Sequence, residues 1–119
     1  MSQLPFAGKL LITDMDGTLL DSSAKISKEN KDAINRFIEG GGLFTVATGR
    51  MEKSVKRFFP ELPLNVPAIL YNGAAIYDFK KEKVLWQTTL PLDAIDPIIR
   101  VIEKFPGMGV QIYHGGNIY

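Results

Sequence analysis

Cysteine is absent from these 119 residues, which excludes disulfides, thiolate zinc sites and a cysteine nucleophile together and suits a reducing compartment. Charge of one sign is lacking too. The 14 Lys and Arg against 13 Asp and Glu leave a net +1, so no global field draws in nucleic acid or an anionic membrane. The basic residues are scattered as Lys53, Lys56, Arg57 and then Lys80, Lys81, Lys83, which reads as solvated faces rather than a binding stripe. No apolar run approaches the roughly 20 residues that a membrane-spanning helix needs. Met1 to Gly8 also lacks the basic and then apolar pattern of a signal peptide. These absences lead us to expect a soluble, cytoplasmic chain with neither nucleic-acid nor membrane partners. His114 is the only histidine and sits beside Gly115-Gly116, where an exposed turn residue is the plain reading. Trp86 and the tyrosines at 71, 77 and 113 read as core or hairpin packing, not as a base-stacking platform.

What is present has the balance of a globular domain, with 45% hydrophobic and 23% charged residues. Lys9 to Thr13 (KLLIT) is short and almost wholly apolar, the pattern of a strand buried on both faces in a parallel sheet. A polar loop from Asp14 to Ser23 follows. Ser27 reads as an N-cap, and behind it Ala33, Ile34, Phe37 and Ile38 recur at helical spacing. Gly40-Gly41-Gly42 ends that helix. Leu43 to Ala47 predicts a second strand, Met51 to Phe59 a short helix closed by Pro60, and Ala68 to Tyr71 a third strand. This β-α-β-α-β order implies parallel strands with right-handed crossovers.

Beyond that point the pattern changes. Ala75 to Phe79 and Lys83 to Thr89 alternate around Lys80-Lys81-Glu82, predicting an antiparallel hairpin. Leu92 to Phe105 is helical in spacing, and Pro97 is accommodated if Asp96 is the N-cap and Pro97 the first helical residue. Val110 to Tyr113 predicts a strand, Gly115-Gly116-Asn117 a turn, and Ile118-Tyr119 the start of another strand.

The chemistry gathers at the strand ends. Ligands of open α/β sheets bind beyond the carboxyl ends of the strands. Asp14 and Asp16 are two residues apart, so an extended backbone turns both carboxylates to one side. Gly17 lets the backbone approach a phosphate, and two carboxylates with water are the usual surroundings of Mg2+. Asn72-Gly73 is most simply a turn, with a role for Asn72 beside the site as the second reading.

Asp14-Met15-Asp16-Gly17-Thr18-Leu19-Leu20 resembles the first signature motif, DxDGT, of the haloacid dehalogenase superfamily of phosphohydrolases. The resemblance implies that Asp14 attacks phosphorus to form an aspartyl-phosphate. It also implies that Asp16 protonates the leaving group and later activates water, with Mg2+ as cofactor. Thr48 is similar to the second motif, a hydroxyl binding the transferring phosphoryl group, with Gly49 and Arg50 assisting. Leu70 to Asp78 and Leu90 to Tyr119 resemble the Cof-type branch, whose α/β cap follows the third strand. The implied fold is α/β, a Rossmann-like parallel core sheet with the start of an inserted cap. Residues 1–78 would be half of the core and residues 79–119 the beginning of the cap, with the boundary near 75–90. The implied partner is a small phosphorylated metabolite, sugar-phosphate-like.

The family's third and fourth motifs, a lysine and an acidic pair, would lie after the cap, and Lys104 on a cap helix is no substitute. The expectation is therefore an incomplete fold with Lys9 to Thr13 as an open apolar edge, which invites self-association. Two readings compete with an active phosphatase. One is a non-catalytic phosphate- or metal-binding, self-associating piece. The other is a phosphorelay receiver, which would carry its acceptor aspartate on a later strand than its acidic pair.

Overall fold

A computed structural model describes residues 3–119 and divides them into two compact units, one ending at Gln87 and one spanning Thr88–Tyr119. The first unit begins with β1 (Leu10–Thr13), which lies parallel to β2 (Leu43–Val46) with Leu11 opposite Phe44 and Thr13 opposite Val46. Helix α1 (Lys28–Glu39) makes the crossover. Its first turn is held by Ser27, whose hydroxyl accepts from the Asn30 amide at 3.1 Å. Its end is the glycine stop: the Gly40 amide bonds back to the Arg36 carbonyl, and Gly41 takes φ +87°, a conformation that costs glycine little. The single turn α2 (Glu52–Lys56) leads to β3 (Ala68–Leu70), joined to the end of β2 through a parallel bridge between Ala47 and Ile69. The three parallel strands expected from the sequence are present in that order.

Strand β3 also starts an antiparallel sheet with β4 (Ala75–Asp78) and β5 (Lys83–Gln87). This is the predicted hairpin, and the ion pair between Lys56 and Glu82 ties its tip to α2. The core centres on Met15, Phe44, Val46, Val55 and Leu70, all fully buried. Each such side chain contributes roughly 1.5–3 kcal/mol by leaving water. Trp86, expected in packing, is half exposed on β5.

Of the two expectations for the first strand, burial on both faces and an open apolar edge, the structure shows the second. Instead of being buried on both faces, β1 exposes Leu10 by 55%, Leu11 by 42% and Ile12 by 43%. Its apolar run signals burial, but among the described residues β2 is its only neighbouring strand, so one edge and much of one face stay open.

In the second unit, a 3-10 turn (Leu92–Ala94) runs into α3 (Ile95–Lys104). The helix therefore starts earlier than an Asp96 cap would allow. Pro97 falls in the first turn, where amides have no intrahelical acceptor and proline's missing N–H is not felt. The expected Val110–Tyr113 strand is shorter and shifted. Strands β6 (Tyr113–His114) and β7 (Asn117–Ile118) form a hairpin, so Ile118-Tyr119 is its returning arm rather than a lone beginning. Gly115 and Gly116, at φ +56° and +73°, make the tight left-handed turn that such hairpins favour. Ile112 and Tyr119 extend it with reciprocal backbone bonds of 2.9 and 2.8 Å. Among the described residues no helix is long and apolar enough to cross a membrane.

Candidate functional site

The carboxyl ends of β1, β2 and β3 bring three of the singled-out segments side by side. The Ala47 amide donates to the Thr13 carbonyl, which sets Asp14 beside the segment that begins with Ala47 and Thr48. The Thr48 amide donates in turn to the Ile69 carbonyl, and the Asn72 amide to the Thr48 carbonyl. Asp14, Thr48 and Asn72 thus stand at successive strand ends.

The loop after β1 is anchored by Met15, which is fully buried and whose carbonyl accepts from the amides of Thr18 and Leu20. Alternation along the backbone then leaves Asp14 and Asp16 on the outer side, both exposed. Asp14 Oδ1 accepts from the Met15 amide at 2.7 Å. Gly17 has φ +75°, so glycine is required there by backbone conformation; a Cβ would meet nothing within 4 Å. At Gly49 the requirement is space, since a Cβ would lie 2.8 Å from Asn72 Oδ1.

Asp16 is not free-standing. Arg50 Nε and Nη2 donate to its two oxygens at 2.7 Å each, while Nη1 donates to Ser54 Oγ at 2.7 Å. The Phe58 ring lies 5.1 Å from the guanidinium carbon, adding a cation–π contact. The Arg50 hydrogen bonds hold the Asp16 carboxyl below the usual carboxylate range, and the Asp16 partner raises Arg50 in return. All three guanidinium nitrogens are therefore engaged within the protein. Ser54 and Phe58 were not singled out in the sequence. The spacing Arg50–Ser54, one helical turn, was the available signal for the first of them.

Thr48 is 5% exposed, and its Oγ1 accepts from the Arg50 amide at 3.2 Å. A hydroxyl that accepts still has a proton to donate, so Thr48 can offer one hydrogen bond to a ligand oxygen. The segment after β3 is strained: Tyr71, Asn72 and Gly73 have φ of +53°, +55° and +94°. Asparagine and glycine tolerate this region, but tyrosine pays roughly 1–2 kcal/mol for it. Tyr71 is held there by its hydroxyl donating to the Glu52 carboxylate and its amide donating to the Arg50 carbonyl. The strained turn places Asn72 against Gly49.

Among the described residues no three Asp, Glu, His or Cys side chains gather to hold a metal. Magnesium asks less of a protein, one or two carboxylates with water and substrate oxygens completing the shell. Asp14 meets that demand as it stands. Asp16 can join through its backbone carbonyl, or through its carboxylate once the Arg50 fork opens.

Comparison with known proteins gives a consistent result. Residues 11–119 match the family model described as haloacid dehalogenase-like hydrolase. Over 70 residues, 59% of this chain and 24% of the relative, it is 41% identical to a 5-amino-6-(5-phospho-D-ribitylamino)uracil phosphatase of Bacillus subtilis. A pyridoxal phosphate phosphatase of Escherichia coli is 26% identical over 93% of this chain and 41% of its own length. The solved structure of a haloacid dehalogenase-like hydrolase from B. subtilis superposes with a TM-score of 0.77 at 30% identity, covering 93% of this chain and 38% of that one. The chain spans well under half the length of these relatives.

Proposed function

This chain belongs to the haloacid dehalogenase-like hydrolases, and on that premise we propose a magnesium-dependent phosphohydrolase of the Cof-type branch with Asp14 as its nucleophile. The observation that carries the reading is the placement of Asp14 beside Thr48 at the carboxyl ends of adjacent parallel strands. An ionised Asp14 oxygen attacks phosphorus, the ester bond breaks, and the phosphoryl group rests on Asp14 while the alcohol departs. Thr48 donates to a phosphoryl oxygen, and the Gly17 and Gly49 backbones line the approach. Asp16 protonates the leaving oxygen and then takes a proton from the water that releases phosphate. That exchange requires Asp16 to leave the Arg50 fork, since a carboxylate with both oxygens engaged is a poor proton carrier. The Asp14 carboxylate and the Asp16 backbone carbonyl would hold Mg2+, which when bound offsets the negative charge of the phosphate and leaves the Asp16 carboxyl for proton transfer. Asn72 and Arg50 border the substrate's position.

The substrate class in this reading is a small, sugar-phosphate-like ester. The curated relatives act, by their names, on a phosphorylated ribitylaminouracil and on pyridoxal phosphate. Residues 1–78 serve as half of the core and residues 79–119 begin the cap, in a cytoplasmic protein. Beryllium trifluoride with Mg2+ tests the nucleophile without turnover, because the fluoride mimics a phosphoryl group on a carboxylate. A fluorine NMR signal of bound fluoride is expected from the chain and its loss from Asp14→Asn. An Asp14→Asn protein that keeps the signal, or that keeps aryl-phosphatase activity in an active form of the protein, sinks the assignment.

One observation favours a second reading, a non-catalytic phosphate- or metal-binding piece: both Asp16 oxygens accept from Arg50. Fluoride bound at Asp14 with no release of phosphate from any ester would select it.

A further inference from the structure

We propose that Glu52 and Tyr71 are positioning residues for the phosphoryl group, a brace that sets Asn72 against the Thr48-Gly49 turn. The inference rests on the phosphatase reading of that site and adds a residue pair to it. Tyr71 donates its amide to the Arg50 carbonyl at 3.2 Å and its hydroxyl to the Glu52 carboxylate. Asn72 donates its amide to the Thr48 carbonyl at 3.1 Å, and its side chain lies against Gly49. Residues 71 and 72 therefore hold the segment from Thr48 to Glu52 along its length. That segment carries the Thr48 hydroxyl offered to a phosphoryl oxygen and the Arg50 fork on Asp16.

Backbone conformation is what makes the brace necessary. Positive φ is tolerated by Asn72 and Gly73, but at Tyr71, with φ +53°, it is unfavourable. A Tyr71 that returned to negative φ would swing the Asn72 peptide away from Thr48. The bond from the phenol to a carboxylate opposes that return, and charge-assisted bonds are the stronger kind. Glu52 is the first residue of α2, directly after the turn, so the acceptor is fixed to the segment being held. Without this bond, part of the population relaxes. The apparent affinity for a phosphoryl group then falls with the fraction of molecules that keep the turn.

Beryllium trifluoride with Mg2+, titrated into the protein and followed by fluorine NMR, reads that fraction at Asp14, and a denaturant titration reads stability beside it. Tyr71→Phe and Glu52→Ala should each weaken fluoride binding about fivefold, the net effect of one hydrogen bond. Glu52→Gln keeps a carbonyl that accepts from the phenol and should bind like wild type. Tyr71→Asn loses the bond and the half-buried ring that packs on the core, yet asparagine accepts positive φ. It should therefore bind like wild type while being the least stable variant. A pair with a merely structural role would make Tyr71→Asn the weakest binder as well. That ranking overturns the proposal, as does unchanged binding in Tyr71→Phe and Glu52→Ala while wild type gives the signal. A wild-type protein with no fluoride signal sinks the phosphatase reading itself, and the brace with it. If the Tyr71 variants fail to fold, Glu52→Ala against Glu52→Gln decides alone.

Discussion

Arg50 holds Asp16 in a two-pronged grip, Nε on one carboxylate oxygen and Nη2 on the other, each at 2.7 Å. The two residues are 34 apart in the chain, and the contact joins the loop after β1 to the start of α2. Its consequence for acid stability can be measured.

Asp16 in the folded chain gives up its proton more readily than an unfolded aspartate, first because of the Arg50 hydrogen bonds. A depressed carboxyl stabilises the fold above its unfolded value near 3.9 and loses that contribution as pH falls through the lower, folded one. Thermal unfolding followed from neutral pH downward should therefore show a loss beginning below about pH 4. Arg50→Ala should shrink that loss, by no more than about 1 kcal/mol, because exposed pairs are screened. The Asp16 side chain is 59% exposed. An unchanged acid limb in Arg50→Ala would show that the grip contributes nothing in solution.

A methyl group at position 49 would press on the Asn72 side chain, 2.8 Å from its oxygen. Gly49→Ala should destabilise the chain by roughly 1–3 kcal/mol, the usual range for overpacking. Adding Asn72→Gly removes the obstructing amide and keeps a residue that accepts φ +55°, so the double variant should recover much of the loss. Denaturant titrations of both single variants and the double close the cycle; strict additivity would refute the contact.

Ser27→Ala should lower stability by about 1 kcal/mol through the lost N-cap. Ser27→Asp should hold or improve on wild type, since an acidic cap also suits the helix's positive end. Chemical denaturation ranks the three chains, and an alanine variant equal to wild type would mean that the 3.1 Å bond to the Asn30 amide carries no weight.

Local signals were the legible ones. Ser27, the glycines at 40 to 42 and the apolar spacing of Ala33, Ile34 and Phe37 located α1 because a cap, a stop and a face lie within one helix. Asp14-Met15-Asp16 was legible because a two-residue period decides which side chains share a side. The Arg50 grip was not, since a long-range ion pair leaves no mark on spacing. Exposure of β1 was legible only through the family resemblance: KLLIT by itself shows that a strand favours burial, not that neighbours exist to bury it. Pro97 misled because it fits anywhere in a first turn, so it bounds a helix start without fixing it. The hairpin at 113–118 was concealed by its brevity, with Gly115-Gly116 the better guide than the short strands.

Trp86, the sole indole of the chain, sits half in water on β5. Its fluorescence should already be red-shifted in the native state and change little on denaturation. The optical probe most often used to follow folding would then watch a hairpin, and an unfolding core could pass almost unseen. Circular dichroism, which follows the helices and strands themselves, is the readout suited to the stability comparisons above.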